Sequence, residues 1–292
     1  GLLIPVGQAF VAECVPYRHL RNAITLNSTQ FNAARALGPG IGGLLLGVFG
    51  PGVTLASVAI FYMPIVYLLI QIDLSRGHRI SENKNSLKIR ESKIIADYRT
   101  SIRYVRSVPG IVSAILMVAF ISALAMPVVQ QVVVFAEEVF EVSPFLFGLL
   151  GSAQGIGAVI SAPMAVGFVA RCKPSNQQFF ATLGYGIAIT SFALAPTYFV
   201  AFLALIVVGF THLISAANLN SVVQLQVDDS KRGRVMAIYL IGVLGPAPFA
   251  NLALGWLISV FGPRLVVAIC GGLLGFAALV FRFSGYLQRL DR

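Results

Sequence analysis

Residues 22–51 read NAITLNSTQFNAARALGPGIGGLLLGVFGP. The stretch is long enough to cross a bilayer, since about 20 apolar residues suffice. Yet it carries Asn27, Gln30, Asn32 and Arg35, followed by Gly38-Pro39-Gly40-Ile41-Gly42-Gly43. A guanidinium at membrane depth is costly against hydrocarbon and belongs against other helices or a wet cavity. The glycines admit close backbone approach. Pro39 removes one backbone donor and favours a kink. One helix with a lipid-excluded polar face therefore implies a bundle with a polar interior.

Composition agrees. Of 292 residues, 57% are hydrophobic and 11% charged, where soluble domains carry about 25% charged. Mean hydropathy is +0.85. Nine apolar runs can be marked out: 1–15, 22–48, 53–72, 109–134, 144–170, 178–195, 198–225, 234–259 and 265–283. The fold class expected is an all-α membrane bundle with nine transmembrane helices. Cys14, Cys172 and Cys270 lie in or beside these runs without metal-ligand spacing.

The net charge of +10 does not signal nucleic acid, because the cations are sorted by side. Alternate loops must fall on opposite faces. Every Lys and Arg except Arg35 and Arg264 then falls on one face, nine of them between Arg76 and Arg106, while Glu137, Glu138 and Glu141 fall on the other. By the positive-inside rule the basic face is cytoplasmic. The linker and the C-terminus are expected there, in a bacterial inner or plasma membrane. Residues 85–106 carry Leu87, Ile94, Tyr98, Ile102 and Val105 at helical spacing, the pattern of a basic amphipathic helix lying on that surface.

An internal repeat is visible. Gly43-Leu-Leu-Leu-Gly-Val-Phe-Gly-Pro51 aligns without gaps to Gly255-Trp-Leu-Ile-Ser-Val-Phe-Gly-Pro263, 212 residues on. Both copies end on the same face, so the repeat is parallel, a transporter architecture. The offset leads to an expectation of roughly three further spans before residue 1, and of a chain that is truncated at its N-terminus.

Three motifs carry a resemblance to the exporter branch of the major facilitator superfamily, the enterobactin- and macrolide-exporter type of transmembrane secretion effector. The first is Arg21-Asn-Ala, Asn27-Ser and Asn32-Ala-Ala-Arg35-Ala-Leu-Gly38-Pro39-x-x-Gly42-Gly43, which resembles the family's helix five. The second, from Ser221 through Asp228 and Arg232-Gly233-Arg234 to Tyr239, is similar to the junction of helices ten and eleven. The third, Tyr104-Val-Arg106-Ser-Val-Pro109-Gly110, resembles the start of helix seven. Two glycines of the longer exporter motif are replaced by Thr25 and Ala34, and Gly167-Phe-Val-Ala-Arg171-Cys-Lys173 only echoes the gating-loop motif.

The resemblance implies helices four to twelve of twelve. Residues 1–72 would complete an N-terminal bundle, 73–107 form the linker and 108–292 form the second bundle. It implies a secondary active exporter of a small amphipathic molecule (a drug, siderophore or metabolite), working by alternating access and driven by a proton gradient. No cofactor or metal is implied. The expected partners are a small-molecule substrate and the lipid bilayer, with no nucleic acid and a monomeric state. A lipid translocator of the same fold and a non-transporting fragment are the alternatives.

Candidate cavity residues are Asn32, Arg35, Gln154, His212, Asn218 and Asn251. For Arg35 the competing reading is a structural charge bonded to carbonyls, and for His212 a packing histidine. Candidate packing and gating residues are Gly38, Pro39, Gly42 and Gly43, with Asp228, Arg232, Gly233 and Arg234 on the basic face. No mid-span Asp or Glu is present, so a proton-binding carboxylate would have to lie elsewhere, or His212 would substitute. No Walker loop, paired carboxylates or Ser/His/Asp pattern is seen, and an enzyme is not expected.

Overall fold

The computed structural model describes residues 20–71, 100–166, 172–228 and 231–291, and for parts of the first helix, including residues 20–33, 35 and 36, only the backbone. The span expected over 1–15 and most of the basic linker lie outside the described residues. All regular structure described is helical. Helix α1 covers Leu20–Gln71. Helix α2, Pro109–Leu124, is prolonged by the turns Met126–Gln130 and Val132–Val134 and the π-helix Phe135–Val139. Then follow α3 (Pro144–Val166), α4 (Pro174–Ala193), α5 (Tyr198–Gln226), α6 (Arg232–Leu244), α7 (Pro246–Phe261) and α8 (Pro263–Phe283). A 3-10 turn, Leu287–Asp291, ends the described chain.

Six helical stretches among the described residues are long and apolar enough to span a membrane. Helix α4 has the length, but Ser175, Asn176, Gln177 and Gln178 make its start polar. The first stretch, Leu37–Pro64, runs across a break in α1 at Gly50. Each arm, 20–49 and 51–71, is itself long enough to cross hydrocarbon. Pro39 remains helical, so the bend expected there is found eleven residues later, at the Phe-Gly-Pro turn.

The repeat holds in backbone geometry. Gly50 has φ 76° and ψ 175°, and Gly262 has φ 80° and ψ 155°. In both copies a proline opens the next helix, where its missing N–H costs nothing. Positive φ with extended ψ is open in practice only to glycine.

Helix α3 lies between α1 and α5, and α4 lies between α5 and α8. Helix α2 touches α5, α6, α7, α8 and the 3-10 turn. Ile111, Phe135, Leu150, Tyr185, Phe192, Leu219 and Leu274 are fully or almost fully buried along these seams. The outer surface carries Phe61, Met63, Phe180, Phe199, Leu252 and Phe276, each more than three-fifths exposed. In water this surface would aggregate; facing lipid it needs no cover.

Candidate functional site: the glycine seam and its polar flanks

The motif helix meets α3 backbone to backbone. A Cβ on Gly43 would lie 2.6 Å from the Pro144 carbonyl oxygen and 2.7 Å from Gly148 Cα. Reciprocally, a Cβ on Gly148 would lie 2.8 Å from Gly43 Cα. One turn on, Gly151 faces the Pro39 ring, with 2.8 Å to its Cβ. Gly40 faces the Ser152 hydroxyl at 2.9 Å. Small residues on both sides are what lets membrane helices come this close.

Of the four motif positions, Pro39 and Gly43 are therefore at the crossing. Gly38 and Gly42 face open space among the described residues. Gly40, Gly148, Gly151 and Ser152 belong to the crossing and were not singled out from sequence. The side chains of Asn32 and Arg35 lie outside the described residues; the backbone puts both on α1, before the seam.

A second polar cluster joins α4 to α5. Gln178 donates from Nε2 to Ser215 Oγ (2.6 Å) and Thr182 Oγ1 (3.0 Å). Asn218 donates from Nδ2 to Gln178 Oε1 and to the Pro174 carbonyl, each 3.0 Å. All four side chains are buried. Asn218 is thus placed in a helix–helix clamp. His212, two turns away on α5, packs edge-to-face on Tyr185 of α4, with ring centroids 5.6 Å apart. Gln154 is buried on α3, where Gly209 of α5 presses against its backbone carbonyl. Asn251 stands apart on α7, its Oδ1 buried and without a hydrogen-bond partner among the described residues. His212 and Asn218 share one seam; Gln154 and Asn251 do not join them.

On the basic face, Asp228 pairs with Lys231 at 3.3 Å. Such an exposed pair is weak alone. It is reinforced by Tyr104, whose hydroxyl accepts from the Asp228 backbone N–H (3.0 Å) and whose ring lies 4.0 Å beneath the Lys231 ammonium. Two of the three family-like motifs therefore meet here. Arg232, Gly233 and Arg234 form the exposed first turn of α6.

The tail closes the same face. Asp291 accepts from the Ser175 backbone N–H (2.8 Å) and hydroxyl (2.6 Å), placing a carboxylate at the N-terminus of α4. Gln226 donates to the Leu290 carbonyl at 3.1 Å, and Leu287 and Leu290 are buried. Gly110 leaves room for the tail: a Cβ there would lie 2.7 Å from the Arg289 carbonyl oxygen.

Arg264, the cation on the acidic side, has a separate use. Its Nη1 donates to the carbonyls of Ala195 (2.9 Å) and Ala193 (3.5 Å), at the end of α4. A cation at a helix C-terminus contributes about 0.3–1 kcal/mol, and up to about 2 when partly buried. Arg264→Gln is expected to lower the thermal midpoint in detergent by about 3 °C, with Arg264→Lys losing about half as much. An unchanged midpoint for Arg264→Gln would remove the cap from the account.

The family model described as transmembrane secretion effector matches residues 1–287. The chain belongs to the transmembrane secretion effector family. It is a multi-pass membrane protein of the major facilitator superfamily. A curated relative, the staphyloferrin A transporter of Staphylococcus aureus (strain NCTC 8325 / PS 47), is 22% identical over 267 residues, which are 91% of this chain and 64% of the relative. The chain thus spans somewhat under two thirds of that relative's length. Among solved structures, the crystal structure of the peptide transporter POT (E310Q mutant) in complex with alafosfalin superposes with a TM-score of 0.55 at 15% identity, over 65% of this chain and 42% of the other. At that identity the likeness concerns the fold alone.

Proposed function

We propose that this protein is a secondary active exporter that moves a small amphipathic molecule by alternating access, driven by a proton gradient. The observation that carries the reading is the α1–α3 crossing. The helix that holds the exporter-type Gly38–Gly43 motif is seated on α3 at backbone distance, in a member of a secretion effector family. In this reading the chain corresponds to helices four to twelve of a twelve-helix transporter, and its first described helix, Leu20–Gln71, begins at helix five. Residues 1–72 belong to one bundle, 108–292 to the other, and the 73–107 linker lies on the cytoplasmic face of the inner or plasma membrane. The α1–α3 crossing is then a contact between bundles, where close backbone packing lets one half rock on the other. Asn32 and Arg35 supply polarity in the cavity wall, with Gln154, His212 and Asn251 as further candidates, and the protein works as a monomer.

The test is efflux of a fluorescent amphipathic dye from cells expressing the full reading frame. Arg35→Ala at normal expression is expected to reduce efflux at least tenfold. Normal efflux would make Arg35 a structural charge. A second reading, lipid translocation, is favoured by a cleft of about 500 Å3 between α2, α7 and α8, lined entirely by apolar residues including Leu124, Leu254, Phe261 and Leu273. It is distinguished by following labelled phospholipid across liposomes that hold the protein and no other cargo.

A further inference from the structure

We propose that the basic-face end of the α4–α8 seam binds the headgroup of an anionic phospholipid. Arg282 stands in the last turn of α8, with its guanidinium 5.6 Å from the centroid of Phe179 on α4. Arg289, in the 3-10 turn, stands 4.1 Å over Tyr286. The rings are themselves braced: Phe179 meets Phe180 at 5.2 Å, and Tyr286 meets Phe281 at 5.9 Å. Aromatic faces attract these cations without consuming their N–H donors. The nearby carboxylate, Asp291, is occupied by Ser175. Lys173, exposed at the start of α4, adds a third cation. Guanidinium forks that keep their donors suit phosphate oxygens.

The surroundings favour a lipid over a soluble anion. Phe180 is 67% exposed and Phe283 is 86% exposed, and they are the chain neighbours of Phe179 and Arg282. An inorganic anion has no use for two naked phenyl rings; an acyl chain does. Farther along the same seam lies a cleft of about 440 Å3 whose lining runs from Gly186 and Gly275 to Pro196 and Val200, at the opposite end of α4. Gly275 is two helical turns from Arg282, about 10 Å along α8, within the ~15 Å that one leaflet's hydrocarbon spans. The site lies on the outer surface of the α4–α8 pair, away from the α1–α3 crossing, so it stands or falls independently of the export reading.

The test uses the full chain carrying Trp256→Phe and Phe180→Trp, which leaves one fluorescent reporter beside the site. It is titrated with brominated phosphatidylglycerol and, separately, brominated phosphatidylcholine in mixed micelles. Each cation near a membrane surface strengthens anion binding about fivefold, so with Arg282 and Arg289 phosphatidylglycerol is expected to quench position 180 at about 25-fold lower mole fraction. In Arg282→Gln with Arg289→Gln the two lipids should come within twofold of each other, while Arg282→Lys keeps part of the preference. The native Trp256 should show no preference above twofold. Equal quenching by both lipids, or a preference that survives the double change, would overturn the proposal. So would displacement by millimolar glycerol phosphate, which marks a soluble-anion site, or a reporter shielded from both lipids, which marks a second copy on this face.

Discussion

Gly43→Val is expected to lower transport about tenfold to hundredfold while the protein still reaches the membrane. The atoms a Cβ would strike at Gly43 are the Pro144 carbonyl oxygen, 2.6 Å away, and Gly148 Cα, 2.7 Å away. Both are backbone, so neither can swing aside. The helices must separate by roughly 1 Å along the crossing, which forfeits a quarter to a half of each lost dispersion contact. Overpacking of this kind costs about 1–3 kcal/mol, and each 1.4 kcal/mol of bias between two states is about a tenfold change in population. Gly148→Val should do the same from the other side. Gly42→Ala is the control: nothing lies within 4 Å of its added Cβ, and transport should stay above about half of the unaltered level. The measurement is initial efflux rate normalised to surface protein. A Gly43→Val protein with the Gly42→Ala rate would show that the crossing does not matter to transport.

The second large effect is on stability. Gln178→Leu is expected to lower the thermal midpoint in detergent by about 5 °C. The amide of Gln178 holds Thr182, Ser215 and Asn218 together across α4 and α5. Interhelical hydrogen bonds within a membrane average about 0.6 kcal/mol and reach about 1.7. Loss of Gln178 removes two contacts to α5 at once and leaves Asn218 buried with one partner, the Pro174 carbonyl. A total near 2 kcal/mol corresponds to roughly 5 °C at this chain length. Gln130→Leu, at an exposed site on α2's extension, should move the midpoint by less than about 1 °C. Equal shifts for the two would mean that the clamp contributes nothing specific.

The bundle was legible because a bilayer imposes coarse constraints. Apolar runs bounded by Pro, Gly and sorted charge locate helices to within a few residues, as at Tyr198–Gln226 and Pro263–Phe283. The repeat was legible because Phe-Gly-Pro encodes one geometry, and Gly50 and Gly262 adopt it alike. Pairings between distant residues were not. Gly148 and Gly151 read as ordinary small residues until Gly43 and Pro39 lie against them. Asn218 reads equally well as cavity lining or as clamp, because one asparagine on a helix does not announce which face meets α4. Sequence placed the C-terminus only on the basic face, although Leu287, Leu290 and Asp291 build a docked turn there. The available hint was negative: α4 opens with Lys173, whose side chain caps nothing, and the carboxylate that serves its first turn comes from 116 residues away. Arg264 was the one loop cation out of place, and its misplacement was the signal. The carbonyls of Ala193 and Ala195 explain it.

The central claim is export coupled to a proton gradient, and vesicle orientation separates it from its opposites. Inside-out membrane vesicles carrying the protein from its full reading frame would be loaded with protons inside and offered a fluorescent amphipathic dye. The account predicts dye accumulation that collapses when a protonophore is added and that falls at least tenfold with Gly43→Val. Accumulation only by right-side-out vesicles, or uptake unaffected by the protonophore, would contradict it.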